Sequence, residues 1–282
     1  MFQTNHLVFR NREQKVVMAE AGSEGGVRSV QHALDVLEIV AFSAEELGVT
    51  QIADRLGMTK GSVHRHLTTL TDRGYLIQNP VTTRYAVGPK SRVLARIAPE
   101  SDLVQLAERP MRDLRDRVGQ TVVLSTPTPR GALVLCAQQG TSPIEIGVRP
   151  GSELPFHTSA QGKVLLAFAR RPFQDRVLSR EMKRLTDHTI VDVAALEAEL
   201  AATQQLGYAS APEEALLGIN AVATPVFDRD DAEVAAVAIV GSIQFLPAVP
   251  DPAVVALLKE CSDQISRRLG HGGTMQPGRH LR

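Results

Sequence analysis

Residues 50–77 read TQIADRLGMTKGSVHRHLTTLTDRGYLI, and the spacing of Ala53, Gly57 and Val63 within them predicts a helical hairpin. A small residue lets two helices cross closely, glycine makes the tight turn between them, and the apolar residue on the second helix plugs the shared core. Thr50 reads as the cap of the first helix, with Ile52, Ala53 and Leu56 facing inward. Thr59 caps the second, in which Val63, Leu67 and Leu70 share one face at i, i+4, i+7. Gly74 ends it.

Working outward from this hairpin, Ser29 is a plausible N-cap for an earlier helix. Val30, Ala33, Leu34, Leu37, Ile39 and Val40 give that helix a broad apolar stripe. On the other side, YLIQNPVTTRYAV reads as two short strands around the turn residues Asn79 and Pro80. Helix, helix, turn, helix and hairpin in so short a span is a winged helix-turn-helix.

Charge says what this unit meets. From Lys60 to Arg96 there are seven basic residues and one acidic residue, Asp72, whereas residues 97–282 hold 19 basic and 22 acidic side chains. The whole chain of 282 residues is formally neutral, so the average hides a basic block suited to a polyanion. With Val63, Leu67 and Leu70 inward, the opposite side of the second hairpin helix carries Gly61, His64, Arg65, Thr68 and Thr69, and Lys60 and Ser62 lie at its start. The N-terminal part of such a helix reaches base edges in a major groove. Arginine pairs bidentately with guanine, and hydroxyls reach phosphates or bases. The expected double-stranded DNA contacts are therefore Thr59, Lys60, Gly61, Ser62, His64, Arg65 and Thr69, with Thr83 and Arg84 in the wing. His64 and His66 are two apart, which on a helix places them on different sides, so no metal site is expected.

The pattern changes after GPKSRVLARIAPES, which Pro99 breaks. A helix over Leu103–Val118 leads into the strand runs TVVLS, ALVLCAQ and IEIGV. A loop, RPGSELPFH, precedes the helical run TSAQGKVLLAFA. A helix over Val193–Leu206 is followed by GYAS, the strands AVATPVF and VAAVAIVG joined by the turn DRDD, and a last helix over Pro252–Leu269. The fold class is α+β, with a helix-flanked, mostly antiparallel sheet in the second domain. We divide the chain into a disordered leader (1–26), the winged unit (27–89), a linker helix (90–101), a second domain (102–270) and a disordered tail (271–282). Met18 is a possible alternative start.

Several function classes are excluded. No apolar run approaches the roughly 18 residues of a membrane span, and the N-terminus lacks the pattern of a signal peptide. Cys136 and Cys261 sit in apolar patterns and read as buried, reduced thiols. The chain is expected to be cytoplasmic. Ser159 and Lys163 are four apart, which is not the S-x-x-K spacing, and the Gly162–Lys163 pair lacks the rest of a phosphate-binding loop. No H-E-x-x-H, C-x-x-C or G-x-S-x-G occurs. Neither catalysis nor a cofactor is expected.

Taken together, SVQHALDVLEIV, TQIADRLGMTKGSVHRHLTTLTDRGYL, RYAVGPK, PGSELPFHTSAQGKVLLA, GYASAPEEALLGINAVATPVFD and ISRRLG make the chain resemble the IclR-type (isocitrate lyase regulator) family of bacterial transcription factors over residues 27–270. The resemblance implies a linker helix, a GAF-like effector domain, and dimers assembled into tetramers that bind promoter palindromes. It also implies control by a small organic acid. The family's effector carboxylate sits at a helix start that maps to Ala160 and Gln161, with Thr158 and Ser159 as helpers. A free helix start favours an anion on physical grounds too, although Thr158 and Ser159 equally suit simple capping. Other pocket positions map to Ile144, Ile146, Ile219, Ala221, Ala238 and Val240. These are aliphatic, which favours a flat or greasy acid such as a hydroxybenzoate over a tiny polar one; ordinary strand core is the other reading. Glu213 and Glu214 fall either beside the pocket or in a solvated loop.

Overall fold

A computed structural model describes residues 26–43, 45–97, 101–141 and 146–272. The expected leader lies outside these, apart from Gly26, and so does the expected tail from residue 273. The chain divides into two compact units between Arg96 and Ile97.

The first unit runs α1 (Arg28–Ala41), α2 (Val49–Leu56), α3 (Lys60–Asp72), β1 (Leu76–Gln78), β2 (Tyr85–Val87) and α4 (Pro89–Ile97). Its core is one apolar cluster drawn from the first five elements. Val36, Val40, Ile52, Ala53, Val63, Leu67 and Leu76 are each almost fully buried there. Gly57 ends α2 in the left-handed conformation at φ 63°, which a side chain would resist. The Thr59 hydroxyl accepts the Ser62 N–H at 3.3 Å, so the expected cap of α3 is present.

The other two expected caps are not. Val27 precedes α1 with no side-chain hydrogen bond, and Ser29 lies inside the first turn. Thr50 likewise lies inside α2, whose cap is Gly48. The Gln51 side-chain oxygen reaches back and accepts the Gly48 N–H at 3.0 Å, so the cap residue's own amide is satisfied without a threonine hydroxyl. β1 and β2 pair antiparallel, Leu76 to Val87 and Gln78 to Tyr85. Leu47 adds an isolated bridge to Tyr85.

The second unit runs α5 (Ser101–Val118), β3 (Thr121–Pro127), β4 (Ala132–Gln138), β5 (Glu153–Leu154), α6 (Ala160–Ala167), α7 (Arg171–Leu178), α8 (Val193–Leu206), β6 (Ala209–Ser210), β7 (Ile219–Phe227), β8 (Glu233–Ser242) and α9 (Pro252–Arg268). The sheet order is β5-β4-β3-β8-β7-β6, and each pairing is antiparallel. Alternation along the strands divides the core. Val122, Leu124, Val222, Val237 and Ile239 face α5 and α9. Ala223, Ala236 and Ala238 face α6, and these short side chains let the helix lie close to the sheet.

Pro110 interrupts α5 without breaking the packing. It has no N–H to give the Leu106 carbonyl, and Arg268 of α9 donates to that carbonyl instead, at 2.8 Å.

The expected strand IEIGV does not form over the described residues 146–148. The free edge of β4 is taken by the following loop: Val134 donates to the Ser152 carbonyl and accepts from Gly151 N–H. Thr121 Oγ1 donates to the Ile146 carbonyl at 2.5 Å, so that carbonyl's partner is a side chain rather than a strand. The stretch assigned to the tail also begins later than expected, because His271 stacks on Phe227 with ring centroids 5.6 Å apart.

Candidate functional site

Two places gather polar groups that the fold does not use. The first is the exposed side of α3. Burial of Val63, Leu67 and Leu70 fixes the helix's rotation. Lys60, Gly61, His64, Arg65 and Thr69 are then exposed and Ser62 is half-buried. None of the ion pairs seen among the described residues involves Lys60 or Arg65. Lys60 and Arg65 therefore present charges with no partner carboxylate. A Cβ built on Gly61 meets nothing within 4 Å, so packing inside the protein gives no reason for glycine there.

Thr69 is less free than its position suggests. Its hydroxyl donates to the Arg65 carbonyl at 3.0 Å, as Thr68 does to the His64 carbonyl at 3.0 Å; each keeps only acceptor capacity. His66 points elsewhere, edge-on to His32 of α1 at 6.0 Å.

The wing is a tied loop. Asn79 Oδ1 accepts from the Val81 and Thr82 N–H groups, and its Nδ2 donates to both oxygens of Glu46. Thr82 Oγ1 donates to Glu46 as well, at 3.0 Å. Thr83 is held at φ 56°, a left-handed conformation that costs a threonine roughly 1–2 kcal/mol. Arg84 Nη1 donates to the Glu46 carbonyl at 3.3 Å. Thr83 and Arg84 are both exposed. Sequence reasoning missed Glu46, since its partners lie more than 30 residues away.

The second place is the start of α6, a helix buried on every side. Its cap is Ser159, whose Oγ accepts the Gly162 N–H at 3.1 Å and donates to the Pro155 carbonyl at 2.8 Å. The Ser159 hydroxyl is thus occupied by capping. Gly162 is demanded by packing: a Cβ there would lie 2.6 Å from Phe156 Cα. The Ala160 and Gln161 N–H groups, at the helix end where no intrahelical acceptor exists, have no backbone or side-chain partner among the described residues. Thr158 Oγ1 and Gln161 Nε2 are buried with no partner either. Four unpartnered hydrogen-bond donors thus belong to residues 158–161 at one helix start, an arrangement that suits an anion.

The aliphatic residues expected around this point straddle a seam. Ile146, Ile219, Ala221 and Val240 group with Val123 and Val134. Ala238 and Ala160 belong to the cluster under α6, which Ala221 also touches. Ile144 lies outside the described residues.

Lys163, on the same helix, is fully buried. Its Nζ donates to Glu214 Oε1 at 2.6 Å, to the Ser210 carbonyl at 3.0 Å and to Glu199 Oε1 at 3.2 Å. Burial pushes the Glu214 carboxyl up and the Lys163 ammonium pulls it back. Glu214 is therefore part of a buried ion cluster rather than a solvated loop, and Glu214 Oε2 is left without a partner. Glu213 turns away to accept the Gly218 N–H at 2.8 Å. Next to the site, His157 is buried and its Nε2 faces the Lys183 carbonyl at 3.0 Å. Burial first, and Lys163 after it, press the imidazole below its ordinary value, against the pull of that carbonyl. The two thiols are inert by the same physics, with burial pushing Cys136 to about 11 and Cys261 to about 12.

Comparison with known proteins places both units in one family. Residues 29–80 match the IclR helix-turn-helix domain, and residues 95–267 match the bacterial transcriptional regulator IclR C-terminal domain. The chain is 34% identical over 260 residues to the HTH-type transcriptional regulator BhcR of Paracoccus denitrificans, covering 89% of this chain and 92% of that protein. It is 30% identical over 251 residues to the glycerol operon regulatory protein of Streptomyces coelicolor, covering 87% and 98%. An IclR homologue of Microbacterium hydrocarbonoxydans, solved in complex with 4-hydroxybenzoate, shares the fold at a TM-score of 0.72 and 23% identity, over 86% of this chain and 99% of that one.

Proposed function

The chain belongs to the IclR family of bacterial, DNA-binding transcriptional regulators and is not an enzyme, and on that premise we propose that it represses a catabolic operon and is released by a small organic acid. The observation that carries the ligand half is the set of four unpartnered donors at the start of α6. A carboxylate there accepts from the Ala160 and Gln161 N–H groups, with Thr158 Oγ1 and Gln161 Nε2 closing around it. Its body lies along the seam of Ile146, Ile219, Ala221, Ala238 and Val240. That lining offers contact area and no hydrogen bonds, which suits an aromatic carboxylate such as a hydroxybenzoate.

In the DNA half, α3 enters the major groove of an operator palindrome. Lys60, Ser62, His64 and Arg65 face base edges and phosphates, Thr59, Gly61 and Thr69 lie against the backbone, and Thr83 and Arg84 track it from the wing. Two copies bind together. Val27, Val30 and Leu34 form an exposed apolar stripe along α1, and Val93, Leu94 and Ile97 another on α4; burying these against a second copy gives a dimer. The effector halves join two dimers into a tetramer.

The test is a titration of labelled DNA from the gene's own upstream region, with and without benzoates and short organic acids, beside a reporter driven by that region. Tight binding that one aromatic acid weakens, with a reporter that the same acid induces, is the expected result. Binding indifferent to every acid would leave the second half as an assembly domain alone. A preference for glyoxylate or pyruvate would overturn the aromatic assignment.

A further inference from the structure

A third buried polar group on the α6 side of the sheet has no role in the site as described. Ser125 is fully buried, and its hydroxyl has no hydrogen-bond partner. Register fixes where it points. It pairs with Ala236 of β8, which packs under α6, and with Val134 of β4, which belongs to the cluster on the other side of the seam. Residues opposite one another in a ladder project to the same face, so Ser125 shares a face with the seam, and its cross-strand neighbours offer no acceptor.

Its neighbourhood is also irregular. The pairing of β3 with β4 shifts register between Leu124 and Ser125. The extra residue is Leu135 of β4, which the pairing skips, while β3 keeps an unbroken register with β8 through Ser125, so the serine takes a place in what would otherwise be an apolar row. A serine, buried and unpartnered between an alanine and a valine, is a poor choice for core packing alone.

We propose that Ser125 reads a second polar substituent on the effector, at the end of its body remote from the carboxylate. This deepens the reading of an acid held at the α6 start and rests on it. That helix lies chiefly over β7 and β8, while Ser125 stands on β3, one strand further across the sheet, a step of about 4.7–4.9 Å. A rigid ring spans from the donor cluster to a neighbouring strand, and a hydroxyl on its far side completes the hydrogen bond that Ser125 lacks. The effector class is then a hydroxylated aromatic acid, with its hydroxyl chosen by Ser125 and its carboxylate by α6.

The experiment is calorimetric titration of the full-length protein with benzoate and with 2-, 3- and 4-hydroxybenzoate, repeated on Ser125→Ala and, separately, on Thr158→Val. In the wild type, one hydroxybenzoate isomer binds roughly tenfold more tightly than benzoate. Ser125→Ala abolishes that preference and leaves the affinity for benzoate unchanged. Thr158→Val weakens all the acids alike and keeps the preference. Melting temperatures without ligand guard the comparison: Ser125→Ala removes an unpaired hydroxyl, so it melts no lower than the wild type. If the preference survives in Ser125→Ala, the inference is wrong while the acid site stands. If no acid in the series binds the wild type, the acid site itself falls and this inference with it.

Discussion

At the scale of single residues, Gly61 and Arg65 separate two demands that one helix face must meet. Glycine near a helix start is less favourable than alanine by about 0.5–1 kcal/mol, and nothing within the protein asks for it, since a Cβ at Gly61 would meet open space. In the DNA complex proposed above, the reason lies outside the chain, in a DNA backbone that approaches the helix. Gly61→Ala is therefore expected to raise the melting temperature while weakening DNA of every sequence alike. Arg65→Ala should differ in both respects. Its exposed guanidinium has no ion pair among the described residues, so stability stays within about 0.5 kcal/mol, and the loss of about 1–3 kcal/mol falls on the operator more than on random DNA. Binding curves on operator and scrambled duplexes distinguish the two. An equal loss on both sequences for Arg65→Ala would remove it from base readout.

At the scale of elements, the stretch before α6 carries a titratable group into the interior. His157 is buried and pressed below its ordinary value of 6.5, chiefly by loss of solvent. The folded chain thus binds this proton less readily than the unfolded chain. Its contribution to stability is complete above pH 6.5 and is lost as the pH falls below that value. Melting curves between pH 7.5 and 5.5 should show the wild type losing more than His157→Gln over the same window; parallel losses would place the sensitivity elsewhere. How far elements were legible in the sequence follows the range of the forces that make them. The face of α3, its Thr59 cap and the wing hairpin depend on neighbours a few residues away, and periodicity exposes them. The caps of α1 and α2 differ from expectation because each helix starts earlier than its nearest hydroxyl, at Val27 and at Gly48, which places Ser29 and Thr50 inside the first turn. The strand β5 has two residues and no pattern to show. The α7 helix begins with Pro172 just inside its first turn and lies beyond the expected helical run, which stops at Ala169; eight residues with three charged side chains among them gave too short a pattern to show it. Lys163 with Glu199 and Glu214, and Glu46 with Asn79 and Thr82, are joined across 33 residues or more. No local signal reports such pairings. The α6 start was legible from the loop that leads into it, and its assignment to a carboxylate came from the resemblance; its unpartnered donors needed coordinates.

At the scale of the whole molecule, the basic first unit needs a way to turn weak phosphate contacts into operator recognition. One helix in one groove reads only a few base pairs, and contacts to phosphate carry no sequence information. Coupling two copies makes the second binding event intramolecular and multiplies affinity without any new kind of contact. It also imposes a half-site spacing set by the dimer's symmetry. In the dimer proposed above, the surface for this is the exposed stripe of Val27, Val30 and Leu34. Those side chains face away from Val36 and Val40, which fill the core, so charging them leaves the fold's own packing intact. Val30→Glu with Leu34→Glu is expected to melt within a few degrees of the wild type and to sediment as a smaller species. Its affinity for a full palindrome should drop to that for a single half-site. The dependence of binding on salt should fall in step, because half as many phosphates are neutralised per binding event and each contributes to the slope of affinity against ionic strength. A double variant that keeps both the wild-type mass and the wild-type salt slope would show that this stripe does not join the two copies, and the apolar face of α4 at Val93, Leu94 and Ile97 would then be the surface to charge.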